Sequence, residues 1–230
     1  MDNNGRTMVR FAFYKFDAAW RRLPQEERDR DKAAFAAAVE EAADEMMVKS
    51  YSLVGVRGDC DLLLWQASPD FDIIRKHGSR VLNSGIGRWA TEPYSFTAMT
   101  KNSQYKDPTE GDAPEGRRLV IKPTGRKYLF VYPFVKTRQW YLMPLEERQK
   151  AMGTHITVGH KFPSVKLNTT YSFGIDDQEF VVAFETDIPA DFLDLVMALR
   201  ETESSKYTLR DTPIFTCVQM SIKDALDAVG

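Results

Sequence analysis

The chain has 230 residues, enough for one large domain or two small ones, and its 43% hydrophobic and 28% charged content is an ordinary globular balance. A formal net charge of −2 with no Lys/Arg run gives no electrostatic case for nucleic acid or a membrane surface. No apolar stretch approaches the roughly 20 residues that span a bilayer.

In chain order, MVRFAFYKF (8–16) is predicted as a strand. Residues 24–49, with Ala-rich AAFAAAVEEAA, are predicted as a helix started by Pro24 with acids just behind it. SYSLVGV (50–56) and DLLLWQA (61–67) form a hairpin-like pair across Arg57-Gly58-Asp59, and Cys60 sits beside the second strand. A helix over about 69–84 and the strand PYSFTAM (93–99) complete this half. NSQYKDPTEGDAPEG (102–116) is polar and rich in Pro, Gly and acids, as a linker or mobile loop would be. Then KYLFVYPFV (127–135) is a strand, 144–158 a helix, VKLNTTYSF (165–173) and EFVVAFE (179–185) a pair across Gly174-Ile175-Asp176-Asp177, 189–203 a helix, and TPIFTCVQM (212–220) a closing strand holding Cys217. The two cysteines match no metal spacing and are expected to be buried free thiols. MDNNGRTMVR carries no apolar signal core, so a cytoplasmic location is expected.

The chain repeats itself. Leu23-Pro24-Gln25-Glu26-Glu27-Arg28 returns as Met143-Pro144-Leu145-Glu146-Glu147-Arg148, with Pro24 and Pro144 120 residues apart. Asp61-Leu62-Leu63-Leu64-Trp65 followed by Pro69-Asp70-Phe71 is echoed by Phe180-Val181-Val182-Ala183-Phe184 followed by Pro189-Ala190-Asp191-Phe192. Two echoes in one order point to two similar halves. Each half reads β-α-β-β-α-β. The expected fold class is therefore α+β: tandem ferredoxin-like repeats of the dimeric α/β-barrel type, antiparallel sheets with helices packed outside. The expected boundaries are 1–101, a linker at 102–116, and 117–230.

The halves differ in the residues that carry chemistry. His155 stands where the first half has Phe35, on a helix face with Leu145 and Met152. It is either a packed core histidine or a neutral imidazole able to hold a haem iron. His160, beside Lys161, and His77, in the polar RKHGSR stretch, are expected at the surface. Period-2 alternation puts Tyr132, Phe134 and Lys136 on one strand face. Tyr132 and Lys136 are either a strand end with an aromatic and a snorkelling lysine, or a site. Arg117, Arg118, Lys122, Arg126 and Lys127 form either a solvated loop or a polycarboxylate site.

Y-P-x-x-K at 132–136, W-Y at 140–141, P-x-E-E-R at 144–148 and H-x-x-x-G at 155–159 resemble the chlorite dismutase-like superfamily, in particular its coproheme decarboxylase branch. The resemblance spans the chain, and its specific part is 127–215. It implies haem in the second half only, with His155 as axial ligand of the iron. It implies Tyr132 as the tyrosine that becomes a radical and oxidises propionates, and Lys136 as the lysine contacting a reacting propionate. Trp140 belongs to the same cofactor-binding string. Arg118, in RLVIKPTGRKY, matches a propionate-binding arginine, and Tyr94 resembles a second tyrosine near the propionates. Glu203 falls where an acid hydrogen-bonds the axial histidine.

The distal position, arginine in chlorite dismutases and glutamine in many decarboxylases, falls on Leu167, or on Asn168 with a one-residue loop shift. That departure weighs against chlorite-to-dioxygen chemistry. A second propionate-binding arginine, near the C-terminus, is replaced by Tyr207, with Lys206 and Arg210 close by. The implied reaction is peroxide-dependent decarboxylation of two propionates of iron-coproporphyrin III (coproheme) to give haem b, with hydrogen peroxide as oxidant. A haem peroxidase or chlorite-degrading relative, or a haem carrier, are the competing readings. The resemblance also implies a homopentamer and transient contact with a ferrochelatase.

Overall fold

The structure, a computed structural model, describes residues 5–108, 119 and 121–230. Its strands are β1 (Met8–Phe16), β2 (Met47–Ser52), β3 (Leu62–Ser68), β4 (Ala90–Met99), β5 (Tyr128–Lys136), β6 (Lys166–Tyr171), β7 (Phe180–Thr186), β8 (Thr208–Arg210) and β9 (Phe215–Gln219). Its helices are α1 (Gln25–Glu40), α2 (Phe71–Leu82), α3 (Arg138–Leu142), α4 (Leu145–Gly159), α5 (Pro189–Arg200) and α6 (Ile222–Asp227), with short 3₁₀ turns between. This is the expected α+β class with antiparallel sheets. None of the helices among the described residues is long and apolar enough to cross a membrane.

The repeat has a local physical basis. Pro24 and Pro144 cap α1 and α4 with matching backbone angles, φ −52° and ψ 146° against φ −51° and ψ 144°. Proline fixes φ and supplies no N–H, and acids follow in both first turns (Glu26, Glu27; Glu146, Glu147), so each helix starts on one device.

The chain divides into two compact units, Met1–Met99 with Thr216–Gly230, and Thr100–Phe215. The division departs from the expected 117–230 half in the last residues. The end of β9 pairs with β2 (Ser52↔Val218, Tyr51↔Gln219), and α6, which the sequence reading did not foresee, buries Ile222, Ala225 and Leu226 in the first unit's core. In that unit β1 lies between β3 and β4, and β2 flanks β3. Ala12, Tyr14 and Phe16 of β1 pack with Phe35 and Val39 of α1 and Val81 of α2. The helix expected to reach residue 49 ends at Glu40, because Met47–Lys49 pair with Ala67–Trp65 of β3 instead. Non-local pairing outweighs the helix propensity of the alanine run. Gly85, at φ +46°, lets the following 3₁₀ turn lie against α1, since a Cβ there would fall 2.0 Å from the Asp31 carbonyl oxygen.

His77 corrects one expectation. It is buried, because α2 turns Ile74, His77, Gly78 and Val81 inward at i, i+3, i+4 and i+7. Gln66 Nε2 lies 2.6 Å from its Nδ1. Burial first, then the Arg80 and Arg10 charges, hold its pKa down at about 4. An unfolded histidine titrates near 6.5, so the unfolded chain binds the proton more readily. Stability contributed by neutral His77 is complete above about pH 6.5 and declines as pH falls towards 4, by up to roughly 3 kcal/mol. Urea titrations of wild type and His77→Gln between pH 7 and 4 should converge as pH falls; parallel curves would refute this assignment.

In the second unit β7 lies between β5 and β6, and β8 joins the end of β5 through Val135↔Arg210 and Lys136↔Thr208. Phe130 and Phe184 of the sheet pack with Phe192 and Leu195 of α5, so this sheet face is the helix-covered one. Residues 105–107, expected in a linker, are tied to α3 and to α4 and its C-cap. Trp140 Nε1 donates to Tyr105 Oη (3.2 Å), Lys106 exchanges two hydrogen bonds with Gln149 (2.9 Å each), and Asp107 meets His160 Nε2 at 2.8 Å.

Candidate haem-ligand site

Strand pairing decides which side chains share the helix-covered face. Phe130, Phe184 and Leu167 form one cross-strand row, and Tyr132, Val182 and Thr169 the next. Tyr132 therefore points towards the helices, its ring stacked on Phe184 at 6.0 Å and 19°. Burial, then the nearby Asp211 carboxylate, pushes the phenol pKa well above its ordinary value, so Tyr132 keeps its proton across the physiological range. Asp211 is ion-paired with Arg200. Neither residue was singled out from sequence, where nothing links them to Tyr132.

Lys136 lies on the same face as Tyr132 but at its buried end, 8% exposed. Its Nζ donates to the Ser204 carbonyl at 2.6 Å and stands 4.6 Å from the Trp140 ring centroid. Burial lowers its pKa to about 8, against the opposing pull of Glu179. Glu179 itself accepts from Lys136 N (2.8 Å) and Tyr141 Oη, closing the end of β5 onto α3. Beside the expected contact with a propionate, the partners of Lys136 in this structure are a carbonyl and an indole ring. Trp140 is buried too, tilted against Tyr207 at 5.5 Å, and so serves as the platform for Lys136. Tyr207 is thus a packing partner of Trp140.

His155, on α4, is half-buried, and its Nδ1 lies 3.0 Å from Ser204 Oγ. Ser204 Oγ is 3.1 Å from Thr202 Oγ1, which donates to the Leu199 carbonyl at 2.7 Å. Burial, then the Lys136 charge, lowers the His155 pKa to about 4, so the ring is neutral at pH 7. Among the described residues Nε2 has no hydrogen-bond partner. Glu203 does not take the role expected for it. It is exposed at the start of the 3₁₀ turn Glu203–Tyr207, and its neighbour Ser204 is the one that points inward. At three residues per turn adjacent side chains diverge by roughly 120°, so a one-residue offset changes sides.

Leu167 and Asn168 are now distinguished. Asn168 Nδ2 donates to buried Glu185 Oε2 at 3.1 Å on the opposite face, while Leu167 shares the Phe184 face and is 51% exposed. The position expected to hold a distal polar group therefore carries an aliphatic one. Tyr94 belongs to the other unit, where its hydroxyl donates to Asp59 Oδ2 at 2.8 Å and Arg57 grips the same carboxylate. Arg118 lies outside the described residues.

The donor set suits a haem-type iron. It offers one neutral imidazole with Nε2 available and a buried partner on Nδ1.

Comparisons with known proteins identify the family. The chlorite dismutase family profile matches residues 16–220. The coproheme decarboxylase of Mycolicibacterium smegmatis is 27% identical over 177 residues, 76% of this chain and 74% of that protein. A haem-binding protein from Thermus thermophilus superposes with a TM-score of 0.86 at 26% identity, covering 97% of this chain and 94% of that one. Chlorite dismutase from Candidatus Nitrospira defluvii, in complex with imidazole, superposes with a TM-score of 0.86 at 24% identity, covering 96% and 94%. From its sequence across nearly its whole length, and from its fold, this chain belongs to the chlorite dismutase family.

Proposed function

We propose that the protein is a coproheme decarboxylase, using hydrogen peroxide to turn two propionates of coproheme into the vinyl groups of haem b. The observation that carries this reading is the combination of a neutral, Nε2-available His155 with a protonated, half-buried Tyr132 in one unit. The name of the M. smegmatis relative supports it.

In each half-reaction one propionic acid and one peroxide give one vinyl group, one carbon dioxide and two waters. The propionate gives up two electrons and two protons, and peroxide accepts them. Bound coproheme is the substrate, and its iron supplies the oxidising power once peroxide is present. His155 holds that iron through Nε2. Tyr132 passes on one electron and its hydroxyl proton, and the phenoxyl then takes a hydrogen atom from the propionate β-carbon. Asp211 and Arg200 set the electrostatics around the phenol. Stacking on the Phe184 ring restricts the phenol, and positioning of reacting groups can supply several kcal/mol of barrier. Lys136 acts through Ser204 and Trp140, fixing the segment that faces His155.

The aliphatic Leu167 favours this reaction over chlorite breakdown, because it offers no charged group above the iron. Parallel assays test the choice. Coproheme with peroxide should be consumed, while chlorite given to the haem-loaded protein should release no dioxygen at an oxygen electrode. Rapid dioxygen release with unaltered coproheme would refute the proposal.

A further inference from the structure

The hydroxyls behind His155 form a chain with one direction. Thr202 has one hydroxyl proton, and it is donated to the Leu199 carbonyl at 2.7 Å, an acceptor only. Towards Ser204, 3.1 Å away, Thr202 can therefore only accept. Both Ser204 contacts are hydrogen bonds only when its proton goes to Thr202, which leaves Ser204 Oγ its lone pairs for His155 Nδ1 at 3.0 Å. Nδ1 must then carry the imidazole proton, and the lone pair of the ring lies on Nε2. Ser204 is 1% exposed and Thr202 7%, so water does not readily supply a substitute donor. Lys136 Nζ bonds the Ser204 carbonyl, not its hydroxyl, and so holds the residue in place without entering the chain.

We propose that Thr202 and Ser204 are positioning residues: a hydroxyl relay, ended by the Leu199 carbonyl, that fixes His155 in the Nδ1-protonated tautomer and presents Nε2 to the iron. The last clause rests on the reading of His155 as the iron ligand; the tautomer itself does not. Thr202 reaches His155 only by way of Ser204, so its effect is exerted through that ring.

The test begins on ligand-free protein. Nitrogen-15 NMR of labelled histidine, with the His155 signals identified by their loss in His155→Gln, should show Nδ1 protonated and Nε2 unprotonated at neutral pH. Thr202→Val keeps the shape and removes the acceptor; the freed Ser204 proton turns to Nδ1 and the ring shifts towards the Nε2-protonated form. Coproheme affinity should fall about 10- to 100-fold, the range for lost partners of metal ligands, and Thr202→Ser should restore both signals. A wild-type ring protonated on Nε2 overturns the relay, and this reading needs no variant to fold. So does a Thr202→Val protein with an unchanged tautomer. An altered tautomer with unchanged coproheme affinity overturns the positioning role. A protein that shows the relay and binds coproheme but never yields haem b refutes the proposed reaction and leaves the relay standing.

Discussion

Tyr132→Phe should bind coproheme within about threefold of wild type, a difference under roughly 0.7 kcal/mol, yet form haem b at least about 10³-fold more slowly, equivalent to roughly 4 kcal/mol of barrier. The change removes one oxygen and keeps the ring that stacks on Phe184, so packing and burial stay nearly intact. What disappears is the O–H group, and the proposed reaction uses that group in each decarboxylation. Stopped-flow absorbance at saturating coproheme separates the two effects. A variant with raised KM and normal kcat would assign the hydroxyl to binding alone and remove Tyr132 from the chemistry.

His155→Ala should abolish the axial-histidine signature of bound coproheme and weaken its binding by more than about tenfold. The folded apoprotein should lose little, within about 1 kcal/mol, because Ser204 keeps Thr202 as a partner once the ring is gone. Added imidazole should restore part of the signature by entering the space left by the side chain. An unchanged spectrum in His155→Ala would assign the iron to another ligand. His160 is the candidate then left among unburied histidines, although the structure pairs its Nε2 with Asp107.

How much of this was legible in the sequence depended on how local each feature is. The twin halves were legible because Pro24 and Pro144 impose the same backbone on the same following acids. The shared face of Tyr132 and Lys136 was legible because strand alternation has a period of two. The end of α1 was not, because it is decided by pairing of Met47–Lys49 with a strand that follows Cys60. His77 was hidden by its polar neighbours Arg75, Lys76, Ser79 and Arg80, although the spacing from Ile74 through His77 and Gly78 to Val81 marks a buried helix stripe. The contacts of Lys136 with the Ser204 carbonyl and the Trp140 ring, 68 and 4 residues away, were not legible, because they depend on the tertiary fold. Glu203 and Ser204 differ by one position in a 3₁₀ turn, too fine for a motif match to separate. The direction of the Thr202–Ser204 chain had no sequence signal, since it depends on which acceptor each hydroxyl meets.

The central claim is that this unit removes two propionates from coproheme by way of Tyr132, with His155 behind the iron. The most direct measurement is mass spectrometry of the porphyrin recovered after the wild-type protein is given coproheme and two equivalents of hydrogen peroxide. The account predicts a product lighter by two carbon dioxide molecules and four hydrogen atoms, coeluting with haem b, and unchanged coproheme from Tyr132→Phe under the same conditions. Recovery of intact coproheme from the wild-type protein, or equal conversion by both proteins, would contradict it.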